Sequence, residues 1–209
     1  MPVDATPAVG TAALNALFDG PPPGYDTAVP AGARLLSLAI DGGVATATVS
    51  DELRDADVAA QAQIVYTLTQ FASVSGVGLR LEDAPLPLTG DAGAPLTEPA
   101  TRGDYEQETP RILVESPLPG DEVSSPLRVT GTSNDYEATF ELELDQGERN
   151  LVSTFVTATS GTGVRGTFDK TLEFDATGDA TLVAFERSAA GEGEGPPELG
   201  RVEIPLVLR

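Results

Sequence analysis

The hydrophobic pattern of the chain changes near residue 110, and this change constrains the fold more than any other feature. Before it, apolar residues recur with both helical and strand spacing; after it, they alternate in short runs separated by Gly, Asn, Asp and Pro. Mixed periods indicate helices packed on a sheet, whereas short period-two runs are typical of a β-sandwich. The sequence therefore predicts two domains, residues 1–109 and 110–209, each long enough for its own core.

The first half is predicted to be a small two-layer module with the order α-β-β-α-β, in which two helices cover a three-stranded sheet. Thr6 is a candidate N-cap and Pro7 suits the first helical position. The Asp41-Gly42-Gly43 run joins two β-prone segments and favours a hairpin, because Gly tolerates the positive φ of the turn. The predicted elements are a helix over residues 6–20, strands over 34–40 and 44–49, a helix over 55–72 and a strand over 77–82.

The second half is predicted to be an immunoglobulin-like β-sandwich, which makes the whole chain α+β. About seven short strands in 100 residues are what such a fold requires. Residues 83–110 precede them with five prolines and three glycines, and we expect an extended linker there, partly packed on the first domain. The predicted strands cover residues 111–115, 126–132, 138–144, 151–158, 167–174, 180–188 and 201–208.

The composition excludes several kinds of site. The chain has no Cys and no His, so it has no disulfide, no thiol nucleophile, no zinc site of the usual N/S type and no imidazole base. The net charge of −21 is spread over both halves, and a field of that sign disfavours binding to nucleic acid or anionic lipid.

The sequence contains no 18-residue apolar run, and its first residues do not resemble a signal peptide. If the protein is exported, we expect its export or lipid-anchor segment to lie upstream, and any membrane attachment to depend on that anchor.

The loop SGTGVRG, which links two predicted strands, is the candidate recognition loop, with Ser160, Thr162 and Arg165 as its contact residues. Tyr66, Tyr105 and Tyr136 offer an alternative, a glycan platform that works by stacking. We expect instead that Tyr66 packs with its hydroxyl at the surface and that Tyr105 docks the linker.

Several acidic residues in predicted loops are candidate calcium ligands. No EF-hand spacing is present, so solvated turns are expected, with no metal and no cofactor. A carboxylate-based glycan hydrolase is a further alternative, because two carboxylates suffice for that chemistry when they flank a cleft. The acids considered as calcium ligands are Asp121, Glu122, Asp175, Asp179, Glu192 and Glu194.

Two groups of segments resemble known families. ALNALFDGPP, ARLLSLAIDGGVATATVS, AQAQIVYTLTQFASVSGVGLRLED and LTEPATRGDY occur in the order found in the GerMN domain of spore-germination-type envelope proteins. PRILVESPLPGDEVSSPLRVTGTSNDYEATFELEL, FVTATSGTGVRGTFDKTLEF and RVEIPLVLR resemble the immunoglobulin-like domain of bacterial spore germination proteins. GerMN domains usually begin with a strand, and only Pro2-Val3 precedes the first helix here, so an exposed sheet edge is expected.

The resemblance implies an extracytoplasmic envelope protein, often lipid-anchored, and it supplies no catalytic residues. The expected function is a non-enzymatic protein-binding or assembly module, with peptidoglycan or glycan binding as the alternative. The expected partners are envelope or spore-coat-side proteins or peptidoglycan. Because each copy carries a charge of −21, we expect a monomer in isolation.

Overall fold

The computed structural model describes residues 8–21, 25–188 and 197–209. The chain divides into two compact units, Met1–Thr109 and Pro110–Arg209. Thr6 and Pro7, the predicted start of the first helix, lie outside the described residues. No helix in the described part of the chain is long and apolar enough to cross a membrane.

The first unit carries two helices and a four-stranded sheet of order β1-β2-β3-β4. β1 pairs with β2 in antiparallel fashion, β2 and β3 are parallel with α2 between them in sequence, and β4 pairs antiparallel with β3. The predicted α-β-β-α-β order is confirmed. The elements are α1 (Val9–Phe18), β1 (Leu35–Asp41), β2 (Val44–Val49), α2 (Val58–Thr69), β3 (Gly76–Arg80) and β4 (Pro85–Leu86).

Local sequence explains where these elements begin and turn. Asp57 caps α2, because its carboxylate accepts a 2.8 Å hydrogen bond from the backbone N–H of Ala60. Gly42 and Gly43 form the β1–β2 turn with φ of 55° and 86°, a conformation that costs glycine little. The core packs one face of α2 against the inward face of the sheet; it includes Leu14, Ala45, Ala47, Val49, Ile64, Val65, Leu68, Val77 and Leu79.

The segment predicted as an extended linker packs on the first unit as expected, but it is more regular than an extended chain, because it contains β4 and a 3₁₀ helix. Ala100 exchanges two backbone hydrogen bonds with Val77, of 2.9 and 2.8 Å. A 3₁₀ helix, Arg102–Glu108, follows and buries Tyr105 completely. Tyr105 docks this segment on the core as expected, and the pairing with β3 adds a backbone contact that the prolines and glycines did not predict.

Tyr66 also differs from expectation, since its hydroxyl joins a polar cluster instead of facing solvent. This hydroxyl lies 3.0 Å from the carbonyl of Tyr105 and 3.2 Å from that of Arg102, and it accepts a hydrogen bond from the Thr109 hydroxyl. The Arg102 guanidinium lies 5.0 Å from the centre of the Tyr66 ring and donates to the Thr69 hydroxyl and the Tyr66 carbonyl. We call these five residues the Tyr66 cluster.

The second unit is a sandwich of a three-stranded sheet, β10-β7-β5, and a five-stranded sheet, β6-β12-β11-β8-β9. The predicted immunoglobulin-like class is confirmed, and β6 is a short strand that the prediction lacked. The strands are β5 (Ile112–Ser116), β6 (Glu122–Val123), β7 (Leu127–Ser133), β8 (Thr139–Gln146), β9 (Arg149–Thr157), β10 (Gly166–Leu172), β11 (Gly178–Arg187) and β12 (Glu198–Leu208).

Its core is built from the alternating inward residues of both sheets. Phe140 and Phe168 meet edge to face, with ring centres 4.9 Å apart. Gly131 on β7 allows this contact, because a Cβ there would lie 2.7 Å from the Phe168 ring and 2.1 Å from the Leu113 carbonyl oxygen. Other core residues are Ile112, Val129, Leu142, Leu144, Leu172, Leu182, Ile204 and Leu206.

Candidate functional site

Two connections of the sandwich lie side by side at the end of the second unit where β8 begins. We call residues 134–138, between β7 and β8, and residues 160–165, between β9 and β10, the loop pair. The backbone N–H of Thr162 donates to the Asp135 carbonyl (2.9 Å), and that of Glu137 donates to the Thr162 hydroxyl (3.1 Å). The N–H of Gly163 donates to the Asn134 side chain (2.8 Å), so the two loops form one surface.

The backbone of the loop pair is strained. Glu137, Ala138 and Thr162 have φ of 54°, 57° and 53°, the left-handed region that non-glycine residues avoid. Each such residue costs on the order of 1 kcal/mol or more. Gly161 lets the loops approach, because a Cβ at this position would lie 2.5 Å from the Asp135 carbonyl oxygen.

The three residues predicted for recognition lie in the loop pair but differ in exposure. Thr162 is exposed, and its hydroxyl is engaged by Glu137. Arg165 is half-buried and donates to the Pro110 carbonyl (2.9 Å) and the Thr132 hydroxyl (3.3 Å). Ser160 is half-buried, and its backbone packs so closely on Gly166 that a Cβ there would lie 2.3 Å from the Ser160 nitrogen. Arg165 and Ser160 therefore shape the loop.

The large apolar side chains that the loop pair presents to solvent are Tyr136 and Val164, which are 59% and 65% exposed. Apolar groups of this size on loop tips are available for contact with another molecule. One sequence signal points to them: Tyr136, the one tyrosine of the second half, follows the turn-forming Asn134-Asp135 pair. Nothing in the sequence distinguished Val164 from a core valine.

A buried polar cluster lies beneath this surface, and the sequence did not reveal it. Asp135 and Ser133 are both 0% exposed. By hydrogen-bond distance and angle, the Asp135 carboxylate oxygens and the Ser133 hydroxyl have no partner, although this hydroxyl is near enough to lower the pKa of Asp135. An aspartate in a turn is normally solvated, so its burial depends on the tertiary packing of the strands around it.

The surroundings of Asp135 alter its acidity. Burial raises the pKa of Asp135 to about 6, because a charged carboxylate is poorly solvated there. Nearby Glu186 raises it further, while the Ser133 hydroxyl and the charges of Arg111 and Arg165 offset only part of the effect. Glu186 itself is 8% exposed and accepts a 2.8 Å ion-pair contact from Arg111.

The acids considered as calcium ligands do not converge in the part of the chain that is described. Asp121 accepts a hydrogen bond from the Leu118 N–H, and Glu122 pairs with Arg209. Glu192 and Glu194 lie outside the described residues. Within residues 8–21, 25–188 and 197–209, no group of three acidic side chains is arranged to hold a metal ion.

Comparison with known families confirms both resemblances. Residues 2–87 match the family model described as sporulation and spore germination. Residues 111–193 match the model described as the immunoglobulin-like domain of bacterial spore germination. No curated protein sequence matches the chain.

Solved structures of GerM from Bacillus subtilis are among the similar folds. Its first GerMN domain is 26% identical, with a TM-score of 0.41, and the match covers 49% of this chain and 84% of that domain. Its tandem GerMN domains are 20% identical, with a TM-score of 0.44, over 83% of this chain and 55% of theirs.

Proposed function

Since its first half matches the sporulation and spore germination family and its second half the immunoglobulin-like domain of bacterial spore germination, we propose that the chain is a non-enzymatic assembly module of the cell envelope. It acts on the extracytoplasmic side, where the loop pair binds a partner protein. In isolation the chain is a monomer.

The observation that carries this proposal is the coincidence of strain and exposure in the loop pair. Three non-glycine residues in the left-handed region lie beside two apolar side chains that are more than half exposed. Strained residues persist only where the surroundings over-determine them, and they concentrate at sites of recognition and catalysis. Tyr136 and Val164 supply the apolar centre that a protein interface needs.

The acidity of Glu52, an acid of the first unit, favours binding over hydrolysis. A glycan hydrolase needs a carboxyl whose pKa is raised so that it can donate a proton near neutrality. Near the end of β2, the Ser50 hydroxyl lowers the pKa of Glu52, and Asp51 is paired with Arg54. The pKa of Glu52 is therefore shifted away from that role.

Photo-crosslinking from the loop pair tests the proposal. A photoreactive amino acid replaces Val164 in cells that make the protein, and a matched control replaces Phe155, which is also 65% exposed but lies on β9. We expect a discrete protein adduct from position 164 that is absent from position 155 and lost when Tyr136→Ser is added. Identical adducts from both positions, or no adduct from position 164, would contradict the proposal.

Glycan binding is the second candidate, because an exposed tyrosine ring can stack on a sugar and Tyr136 is 59% exposed. Sedimentation with purified peptidoglycan separates the two. The protein-binding function predicts that the chain stays in the supernatant. Co-sedimentation that Tyr136→Ser abolishes would instead assign the loop pair to glycan.

A further inference from the structure

The outer edge of β1 carries unused pairing capacity. This seven-residue strand pairs with β2 on one side, and nothing in the described part of the chain pairs with its other side. Strand edges present a row of free N–H and C=O groups, and proteins usually guard them with Pro, Lys or a bulge. β1 has no Pro and no Lys, and its one irregularity, between Leu35 and Ser37, lies at its beginning.

A comparison with β9, an edge strand of the second unit, shows what a guarded edge looks like. There the Lys170 ammonium donates a 3.1 Å hydrogen bond to the Phe155 carbonyl, which occupies an outer acceptor and places a charge on the edge. β1 lacks such a contact among the described residues, while two large apolar side chains on it, Leu36 and Ile40, are 49% and 47% exposed.

A cavity of about 520 Å³ adjoins the beginning of β1, where β2 and β3 end. Its apolar lining comes from Leu36, Val49 and Leu81. The ends of neighbouring parallel strands are a common place for ligands in α/β sheets. The charged residues that line it are Arg34, Asp51, Glu52, Arg54, Glu82 and Asp83.

The cavity has carboxylates that could pair with a cationic group of a ligand. Asp51 is neutralised locally by Arg54, whose guanidinium lies 2.5 Å from it. Glu82 and Asp83 are exposed and take part in no ion pair within the described residues. A cationic side chain entering the cavity would therefore meet two carboxylates that no arginine engages at ion-pair distance.

We propose that the β1 edge and this cavity form a docking site for an extended segment of another protein that carries apolar and basic side chains. The segment adds a strand beside β1, and its apolar side chains cover Leu36 and Ile40. Where it continues past the beginning of β1, a Lys or Arg enters the cavity lined by Glu82 and Asp83. A second copy of this chain is a poor occupant, because each copy carries a charge of −21. The site does not depend on the function of the loop pair.

Fluorescence anisotropy with short labelled peptides tests the proposal on the full chain. The probe is an eight-residue peptide of alternating Val and Lys; one control has Glu in place of Lys, and another keeps Val and Lys but carries N-methyl groups on alternate backbone nitrogens. The N-methylated peptide keeps the charge and cannot pair as a strand. We expect only the first peptide to bind well, with the N-methylated one at least about tenfold weaker.

Variants locate the binding on the chain. Leu36→Ser with Ile40→Ser is expected to weaken binding of the Val-Lys peptide about tenfold, since both side chains would lose apolar contact. Phe155→Ser on β9 is the matched control and should leave binding unchanged. Circular dichroism checks that the variants fold. If the double variant does not fold, the comparison of the Val-Lys peptide with its N-methylated form on the parent chain still tests the proposal.

Three results would overturn the proposal. Equal binding of the N-methylated peptide would show charge attraction without strand pairing. Equal weakening by Phe155→Ser would place the binding elsewhere. Dimerisation of the parent chain at low salt that Leu36→Ser with Ile40→Ser abolishes, measured by light scattering, would assign the edge to a second copy of this chain.

Discussion

The Tyr66 cluster of the first unit and the buried cluster around Asp135 in the second differ in whether their polar groups have hydrogen-bond partners. In the first, the Tyr66 hydroxyl has three partners, and the Arg102 guanidinium has two in addition to the ring. In the second, Asp135 and Ser133 are fully buried, and their side-chain oxygens form no hydrogen bond.

The difference indicates two uses of buried polarity. A fully connected network holds a segment in place, and the Tyr66 cluster holds the 3₁₀ helix that follows residue 101. An unpaired buried carboxylate costs stability, and a fold retains it where something other than stability is selected. Asp135 lies under the strained loop pair, so we connect the stability cost of burying its carboxylate with the proposed binding surface.

Removing Arg102 should have the largest effect on stability. Arg102→Ala loses two hydrogen bonds and the cation–π contact with Tyr66, so we expect the first unit to lose about 3 kcal/mol of unfolding free energy. Arg80→Ala is the control, because Arg80 is exposed, and it should change stability by less than about 0.5 kcal/mol. Hydrogen exchange of the β2 and β3 amides measures the stability of the first unit in both variants. Equal effects of the two substitutions would show that the Tyr66 cluster does not stabilise this unit.

Asp135→Asn should raise stability, whereas Arg102→Ala should lower it. With a pKa of about 6, Asp135 keeps its proton in the folded chain up to about pH 6, whereas the ordinary pKa of an aspartate is 3.8. The stability this proton contributes is complete below pH 3.8 and is lost as the pH rises through 6. We therefore expect Asp135→Asn to stabilise the second unit by about 2 kcal/mol at pH 8 and by almost nothing at pH 4.

The matched control for that variant is Asp175→Asn, which removes the same charge from an exposed position in the same unit. In this variant the loss of stability between pH 4 and pH 8 that Asp135 causes should remain. Denaturant unfolding from pH 4 to pH 8, followed by exchange of the β7 and β8 amides, supplies the comparison. A destabilised Asp135→Asn at pH 8 would mean that the carboxylate is paired.

The sequence predicted the elements that hydrophobic periodicity defines. The strand expected over 201–208 is present within Glu198–Leu208, and the helix expected over 55–72 is present as Val58–Thr69, where Asp57 supplies the cap. β4 and β6 were missed because each is two residues long and forms only by pairing with a distant strand. No local pattern encodes that pairing.

The candidate site could be predicted only in part. The glycines of SGTGVRG predicted a loop, and its contacts with residues 134–138 followed only from the tertiary structure. Aspartate is usually exposed and valine usually buried, but Asp135 is buried and Val164 is exposed. Residue type therefore predicted the wrong burial at these two positions.

Relief of backbone strain should give the smallest change in unfolding free energy, and the sign of that change shows whether the loop pair is strained. Glu137→Gly removes a side chain from a position with φ of 54°, and we expect a gain of up to about 1 kcal/mol. Thr171→Gly, at an exposed and regularly paired β10 position, should cost a similar amount. Thermal unfolding of the two variants tests this; a loss of stability in Glu137→Gly would show that the loop pair is not strained there.

The pKa of Asp135 in the folded chain tests the contrast between the two clusters most directly. Carbon-detected NMR of the side-chain carboxyl, titrated from pH 3 to pH 9, reports it without any substitution. We expect a midpoint near the value of about 6 that burial of the carboxyl produces. A midpoint at or below 3.8 would show that the carboxylate is solvated or paired, and would contradict the account of the second unit.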